Sequence, residues 1–148
     1  MDEDKIQARR REQDEEATKR RAAILGLQYL DTREFEADVP LVRDVLTNDE
    51  MYRGRIVPLA ASQEDQSYRF GITSQTPQSL VQQMATEYHE KGKTTHFFLI
   101  SGSGFRALML RYDPPKKVIY EDIEIAREGD SETLAQVSKV PSEVGTND

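Results

Sequence analysis

The chain has 148 residues, the length of one ordinary domain, and carries 27 acidic against 20 basic residues for a formal charge of −7. Cysteine is absent, which excludes a disulfide framework, a thiol nucleophile and a cysteine-ligated metal centre. No apolar run approaches a membrane span, the first residues are too charged for a secretory signal, and the acidic balance argues against duplex-DNA binding. These features predict a soluble, cytoplasmic protein with no nucleic-acid partner and no direct membrane insertion.

The charges divide the chain into three pieces. Residues 1–21 carry equal numbers of acids and bases, and Ile6 is their single apolar anchor, so this extension is predicted to be a solvated helix of marginal stability or disordered. The polar, acidic residues 118–148 are predicted to be a linker or disordered tail. Between them, residues 22–117 are nearly neutral and hold most of the branched and aromatic side chains, so they form the predicted domain.

The first part of this domain predicts two helices and a short strand. The apolar run before Gly26 ends the first helix, with Gly26 in the left-handed closing conformation. Residues 28–30 predict a short strand, and residues 41–46 place their apolar side chains on one face of a second helix. Thr47 with Glu50 three positions later matches a capping box, which predicts a further helical turn.

Two strands and the loop between them predict a β-hairpin. Residues 55–61 have the composition of a strand in which Pro58 favours a sheet edge or a bulge. Residues 67–73 alternate polar and apolar side chains, which is typical of a half-buried strand. The polar residues 62–66 that separate the two strands suit a hairpin loop.

The last elements are a helix, a strand and a helix. Thr76 is the predicted cap of the next helix, Pro77 takes its first position and Gly92 ends it. Residues 94–101 are the most apolar strand, and we expect them to lie centrally with both faces covered. A glycine-rich turn then leads into a last helix over residues 105–112.

Together these elements predict an α/β (α+β) fold in the order α-α-β-β-α-β-α. A small mixed sheet of three or four strands is expected, with helices packed against it. Since a helix joins the second hairpin strand to the strand at residues 94–101, the two strands should form a right-handed parallel crossover.

The segment Gly92-Lys93-Thr94 matches only the end of a phosphate-binding loop. The position that must be glycine is occupied by Glu87, and the segment closes a helix and opens a strand rather than the reverse. We therefore interpret it as a helix end with flanking lysines.

Residues 102–107 satisfy the pattern G-x-G-x-x-A. They follow an apolar strand and open a helix, where an anion could rest on free N–H groups, and Glu121 and Asp122 lie at about the right distance downstream. However, a dinucleotide fold needs further strand–helix units that the polar tail does not supply, and a tight turn explains the same glycines. The weak candidates for nucleotide binding are Ser101, Gly102, Ser103, Gly104 and Arg106.

Other chemistry-bearing residues predict neither catalysis nor a metal site. His89 and His96 lie on a helix and a strand without a ligand cluster around them. Two carboxylate pairs occupy polar loops, where nothing would raise a pKa by burial, and we interpret them as solvated. These pairs are Glu34 with Glu36 and Glu64 with Asp65. We predict no catalytic residue, no cofactor and no metal.

The run A-I-L-G-L-Q-Y-L-D at residues 23–31 resembles the stretch A-x-x-L-G-L-P-Y-V-D in the amino-terminal domain of type II secretion and type IV pilus assembly ATPases. Later segments come in a similar order, with I-V-P-L at residues 56–59 and F-G-I-T at residues 70–73. The closing segments S-G-S-G-F-R at residues 101–106 and R-Y-D-P-P-K-K at residues 111–117 resemble the pilus-extension ATPase branch in particular.

This resemblance, over residues 22–117, implies a non-catalytic regulatory or docking domain that precedes a motor ATPase. The expected partners are inner-membrane platform or cytoplasmic assembly proteins, with the motor domain in cis where it is present. Some members bind cyclic di-GMP through paired R-L-G-x-x-L-V-x-x-G repeats, which have no counterpart in residues 1–21, so this ligand is not expected. Walker motifs are also missing, which implies an excised domain or a stand-alone relative that does not hydrolyse ATP and reaches the inner membrane through its partners.

Partner contacts are expected on the last helix. The candidates are Phe105, Arg106, Met109 and Arg111. An alternative assigns Phe105, Leu108 and Met109 to the core. A functional alternative to docking is a nucleotide-binding regulatory module that uses the turn at residues 101–105.

Overall fold

The computed structural model describes residues 2–116, in which helices flank both faces of a four-stranded sheet. In chain order the elements are α1 (Glu3–Leu25), β1 (Gln28–Tyr29), a 3-10 turn (Thr32–Glu34), α2 (Asn48–Gly54), β2 (Ile56–Ser62), β3 (Ser67–Ile72), α3 (Gln78–Glu90), β4 (Thr94–Leu99) and α4 (Gly102–Tyr112). The predicted α/β class with a mixed sheet is confirmed. The tail predicted over residues 118–148 lies outside the described residues.

The strands lie in the order β1-β4-β3-β2. β1 and β3 both run parallel to β4, and β2 pairs antiparallel with β3 to form the predicted hairpin. The register shifts between Pro58 and Ala60, which is the irregularity that proline predicts on an edge strand. β4 is central, as expected, but His96 is exposed, so the prediction that both faces of this strand are covered is wrong for its amino-terminal half.

Two apolar clusters lie on opposite faces of the sheet, since neighbouring strand residues such as Ile56 and Val57 belong to different clusters. The first cluster, under α2 and α4, contains Met51, Val57, Leu59, Ile100, Phe105, Leu108, Met109 and Tyr112. The second, under α3 and the end of α1, contains Ala22, Ile56, Phe70, Ile72, Met84 and Leu99. The sheet is therefore the middle layer of the domain.

Several helix ends follow the predicted signals. In the capping box, the N–H of Glu50 donates to Thr47 Oγ1 over 3.1 Å and the N–H of Thr47 donates to Glu50 Oε1 over 2.8 Å. Gly26 and Gly92 close α1 and α3 with φ angles of 73° and 75°, which only glycine adopts without strain.

Two helix starts differ from the prediction. Thr76 does not cap α3, because Pro77 takes the cap position and the Thr76 hydroxyl instead accepts a hydrogen bond from the N–H of Thr73 over 2.9 Å. α4 begins earlier than predicted. Ser101 is its cap, and its Oγ accepts a hydrogen bond from the N–H of Gly104 over 2.9 Å.

The helix predicted over residues 41–46 is absent, and this prediction is wrong. The segment is irregular, and Asp44 has a left-handed φ of 66° that no α-helix tolerates. Leu41 and Leu46 are half-buried and pack against the core clusters. The spacing of apolar residues here reflects burial of an irregular segment rather than one face of a helix.

The last turn of α4 supplies hydrogen bonds to this segment and to Val39 just before it. Nη1 of Arg111 donates to the carbonyl oxygen of Val39 over 2.5 Å. The hydroxyl of Tyr112 accepts from the N–H of Val42 over 2.9 Å and donates to the carbonyl oxygen of Pro58 over 2.9 Å. Because these backbone N–H and C=O groups have hydrogen-bond partners, the irregular backbone can lie against the core.

Candidate functional site

The amino-terminal helix contacts the rest of the domain through a polar seam, which lies near the carboxyl ends of β1 and β4. We define the α1 seam as Arg11, Asp14 and Glu15 on α1 together with Tyr29, Thr32, Glu36, Ser101 and Ser103 opposite them. α1 is one helix that continues past the predicted boundary at residue 21 as far as Leu25. Ile6, the predicted anchor, belongs to neither apolar cluster.

Glu15 is the buried centre of this seam, with 2% of its surface exposed. Its Oε1 accepts a hydrogen bond from the Tyr29 hydroxyl over 2.5 Å. Its Oε2 accepts from Ser101 Oγ over 2.5 Å and from Arg11 Nε over 2.7 Å. A carboxylate away from water is tolerated only when its oxygens are paired in this way. Burial, together with the bond to this carboxylate, raises the pKa of Tyr29 above its ordinary value.

Arg11 extends the seam to Glu36. Nη1 and Nη2 of Arg11 donate to the two carboxylate oxygens of Glu36 over 3.0 Å and 2.8 Å, and the Thr32 hydroxyl donates to Glu36 Oε1 over 2.8 Å. Burial raises the pKa of Glu36, but the hydrogen bonds from Arg11 and Thr32 outweigh it and hold this pKa below its ordinary value. The prediction that Glu36 is solvated is therefore wrong.

A more exposed ion pair continues the contact at the surface. Arg33 lies 2.8 Å from a carboxylate oxygen of Glu12 on α1 and 2.7 Å from one of Asp31. The hydrogen bond from Arg33 lowers the pKa of Asp31. Because Arg33 and Glu12 are both well exposed, this pair contributes little to stability compared with Glu15.

The turn predicted as a weak nucleotide site is occupied by carboxylates of α1. Oδ2 of Asp14 accepts hydrogen bonds from the N–H of Ser103 over 3.0 Å and from its hydroxyl over 2.5 Å. The hydroxyl of Ser101 already donates to Glu15 while it caps α4. An incoming phosphate would have to displace these groups, so the geometry favours the structural explanation of this turn over the nucleotide-binding one.

Gly104 has a packing role that explains the second glycine of the pattern. A Cβ atom on Gly104 would lie 2.3 Å from Oγ1 of Thr32, far inside the contact distance. On Gly102, by contrast, the closest atom to a Cβ would be Nη1 of Arg106 at 3.5 Å, an ordinary contact. Glycine is thus required at residue 104 for the close approach of α4 to the 3-10 turn.

The residues of the last helix that were predicted to contact a partner lie in three different environments. Phe105 and Met109 are 1% and 2% exposed and lie in the core, as the alternative interpretation expected. Arg111 is half-buried and donates to the backbone carbonyl oxygens of Glu36 and Val39, just before the irregular segment. Arg106 is exposed, and Leu110, one turn further along the same helix face, is 57% exposed.

The histidines and loop carboxylates form no centre in the described part of the chain. His89 and His96 are exposed. Asp65 accepts a hydrogen bond from Ser67 Oγ over 2.8 Å at the surface, where this bond lowers its pKa. Within residues 2–116, no group of three His, Asp or Glu side chains could hold a metal ion.

A groove of about 550 Å³ with a mixed apolar and polar lining runs between α2 and α3. We call it the α2–α3 groove. Its apolar lining consists of Val45, Leu46, Ile56, Leu80, Met84 and Tyr88, and its charged rim of Glu50, Arg53, Glu87 and Lys91. The sequence identifies Leu80, Met84 and Tyr88 as one face of a helix, but the groove exists only because the irregular segment brings Val45 and Leu46 beside them.

None of the helices within residues 2–116 combines the length and the apolar composition that crossing a bilayer requires. Comparisons of the chain with protein-family models, with curated proteins and with solved structures found no match. Function must therefore be inferred from the geometry of the molecule and from the resemblance over residues 22–117.

Proposed function

We propose that this chain is a non-catalytic docking and regulatory domain of a type IV pilus or type II secretion assembly ATPase. In this proposal it binds a cytoplasmic segment of the inner-membrane assembly platform, works in the cytoplasm and reaches the membrane through that partner. The resemblance over residues 22–117 supports the family and the class of partner. The α2–α3 groove is the observation that carries the docking role.

The groove has the form of a helix-binding surface. Leu80 and Tyr88 of α3 are half-buried and leave part of their apolar surface open to the groove, while Met84 between them is buried in the core beneath. An amphipathic helix would bury the exposed parts of Leu80 and Tyr88 together with those of Val45 and Leu46 on the opposite side. The mixed charges of the rim would select the orientation and register of that helix rather than supply most of the affinity.

The experiment is a calorimetric titration of the full chain with purified cytoplasmic segments of the platform proteins. We expect saturable one-to-one binding by one of them. Gln83 is exposed and lines the groove, so Gln83→Trp places a large ring in the space of the partner and should weaken binding by at least about ten-fold. Gln82→Trp is the matched control, since Gln82 is exposed beside it but does not line the groove.

Two results would overturn this proposal. Absence of saturable binding by every platform segment would remove the docking role, and an equal loss in the Gln82→Trp and Gln83→Trp variants would remove the groove as its site. The non-catalytic part is tested by phosphate release from ATP, which should stay at the level of buffer alone. Turnover that rises in proportion to protein concentration would contradict it.

A further inference from the structure

The sheet has a topological switch point between β3 and β4. The chain leaves β3 for α3, whose Met84 packs with Phe70 on one face. It leaves β4 for α4, whose Phe105 and Leu108 pack with Val57 on the opposite face. Where the connections of two adjacent parallel strands diverge in this way, a crevice opens at their carboxyl ends, and this is the place where open α/β sheets bind ligands.

A cavity of about 350 Å³ occupies this crevice. The turn after β3 forms one wall with Thr73 and Ser74, the start of α4 forms a second with Gly102, and α1 forms a third with Thr18. Small-molecule sites range from about 300 to 1,000 Å³, so this cavity suits a compact ligand. The hydroxyl groups of its walls make it a polar site.

Three arginines from three different elements line the cavity: Arg21 of α1, Arg55 between α2 and β2, and Arg106 of α4. Within residues 2–116 none of them forms a salt bridge, although five other ion pairs form in the same part of the chain. Asp14 is the carboxylate among the lining residues, and it is already bonded to Ser103. The described lining thus carries an excess of two positive charges.

Arg55 is held beside the cavity in a strained conformation. Its φ and ψ of 53° and 46° lie in the left-handed region, where glycine would be relaxed and arginine is not. Its guanidinium lies over the ring of Phe105 at 5.6 Å, and its carbonyl oxygen accepts a hydrogen bond from Thr76 Oγ1 over 2.6 Å. These contacts place the cation before a ligand arrives, which lowers the entropic cost of binding.

We propose that this crevice binds a small phosphate-bearing anion through the guanidinium groups of Arg21, Arg55 and Arg106, and not through the N–H groups at the start of α4, where Asp14 already holds Ser103. The planar fork of arginine matches the oxygens of a phosphate group. A phosphate monoester carries about −1.5 to −2 charges at neutral pH, which balances the excess of the lining, whereas a carboxylate would balance only half of it. Because Arg21 lies on α1, the bound phosphate also ties this helix to the sheet.

The test is a calorimetric titration of the full chain with inorganic phosphate, adenosine 5′-monophosphate and adenosine. We expect one-to-one binding of both phosphate-bearing probes, no heat from adenosine, and weaker binding as NaCl rises from about 0.05 M to 0.5 M. Tighter binding of the nucleotide than of inorganic phosphate identifies an organic phosphate as the ligand class. Equal binding of the two identifies free phosphate.

Substitutions locate the site. Arg21→Gln and Arg106→Gln remove exposed cations that line the cavity, and each should weaken phosphate binding by about ten-fold or more. Arg20→Gln is the matched control, since Arg20 is an exposed neighbour on the same helix that does not line the cavity, and its affinity should equal that of the wild type. Far-UV circular dichroism confirms that each variant is folded.

Three results would overturn the proposal: no saturable binding of inorganic phosphate or the nucleotide at about 10 mM, the same loss in Arg20→Gln as in Arg21→Gln, or binding of adenosine as tight as that of the nucleotide. None of these results bears on platform docking, because the α2–α3 groove shares none of the arginines of the cavity.

Discussion

Two helices contribute to the same apolar cluster, yet they are held on the domain by different interactions. α3 packs Met84 and Tyr88 against Phe70, with the rings of Phe70 and Tyr88 edge to face at 5.8 Å. Within the described residues, α1 contributes Ala22 to this cluster and is otherwise held mainly by the polar α1 seam, with the buried carboxylate of Glu15 at its centre.

Because the two helices are held by different interactions, their attachments respond differently to pH, salt and substitution. Apolar packing depends on the area removed from water and changes little with pH or salt. A buried carboxylate depends on its charge and on every one of its donors, and it becomes a liability when one is lost. α1 is therefore the element of this domain that substitution of a single charged residue can loosen while α3 and the sheet stay packed.

The largest effect is expected from Glu15→Ala. This change leaves the buried Ser101 hydroxyl and the half-buried Tyr29 hydroxyl without their acceptor, and it should lower the free energy of unfolding by about 4 kcal/mol. Urea denaturation followed by circular dichroism measures this loss. Glu16→Ala on the same helix is the control, because Glu16 is exposed and its removal should cost almost nothing. Equal stabilities of the two variants would show that the seam does not hold α1.

A somewhat smaller loss is expected from Met84→Ala, which opens a cavity under α3. Met84 is 6% exposed, and its truncation should lower the free energy of unfolding by about 3 kcal/mol. The decisive measurement is the pH dependence of this loss, which should be the same at pH 7 and pH 4. A loss that shrinks on acidification would mean that α3, like α1, is held through titrating groups.

A third prediction concerns the contribution of Glu36 to the stability of the domain at low pH. The folded pKa of Glu36 is lowered, so its contribution to stability is fully present above its unfolded pKa of about 4.3 and is lost as the pH falls through the folded value. Glu36→Gln should cost about 1 kcal/mol at pH 7 and progressively less below pH 4. Denaturation curves of both proteins from pH 7 to pH 3 test this, and parallel pH profiles would contradict it.

The smallest effect is expected from Arg33→Gln at the exposed end of the contact between α1 and the 3-10 turn. Exposed ion pairs are weak, so the melting temperature should fall by about 2 °C or less. In about 1 M NaCl, where charges are screened beyond about 3 Å, the difference from the wild type should become smaller still. A loss that persists at high salt would point to packing rather than charge.

Much of the fold could be predicted because its signals are local. The hairpin follows from alternating strands around a polar loop, and the capping box requires only Thr47 and Glu50. Gly26 and Gly92 mark helix ends because their left-handed backbone is a property of single residues. These features need no knowledge of what packs against them.

The seam could not be predicted, because its partners are distant in sequence. Glu15 lies in a run of charges, and nothing in that run distinguishes it from the exposed Glu16; the Ser101 that pairs with it is 86 residues away. Gly104 likewise fits a nucleotide-binding pattern in the sequence, and only the structure shows that it is glycine because Thr32 packs closely against it. The cavity at the switch point could not be predicted for the same reason, since Arg21, Arg55 and Arg106 are distant in sequence and come together only when the sheet forms.

The two side chains that end α4 also lead us to expect a particular order of events in folding. The bond between Tyr112 and Val42 spans 70 residues, and the bond between Arg111 and Val39 spans 72. Closing so long a loop costs chain entropy before the contact stabilises anything, so it follows the docking of α4 on the sheet. We expect this irregular segment to close last during folding and to open first, and exchange of the Val42 amide hydrogen reports when it does.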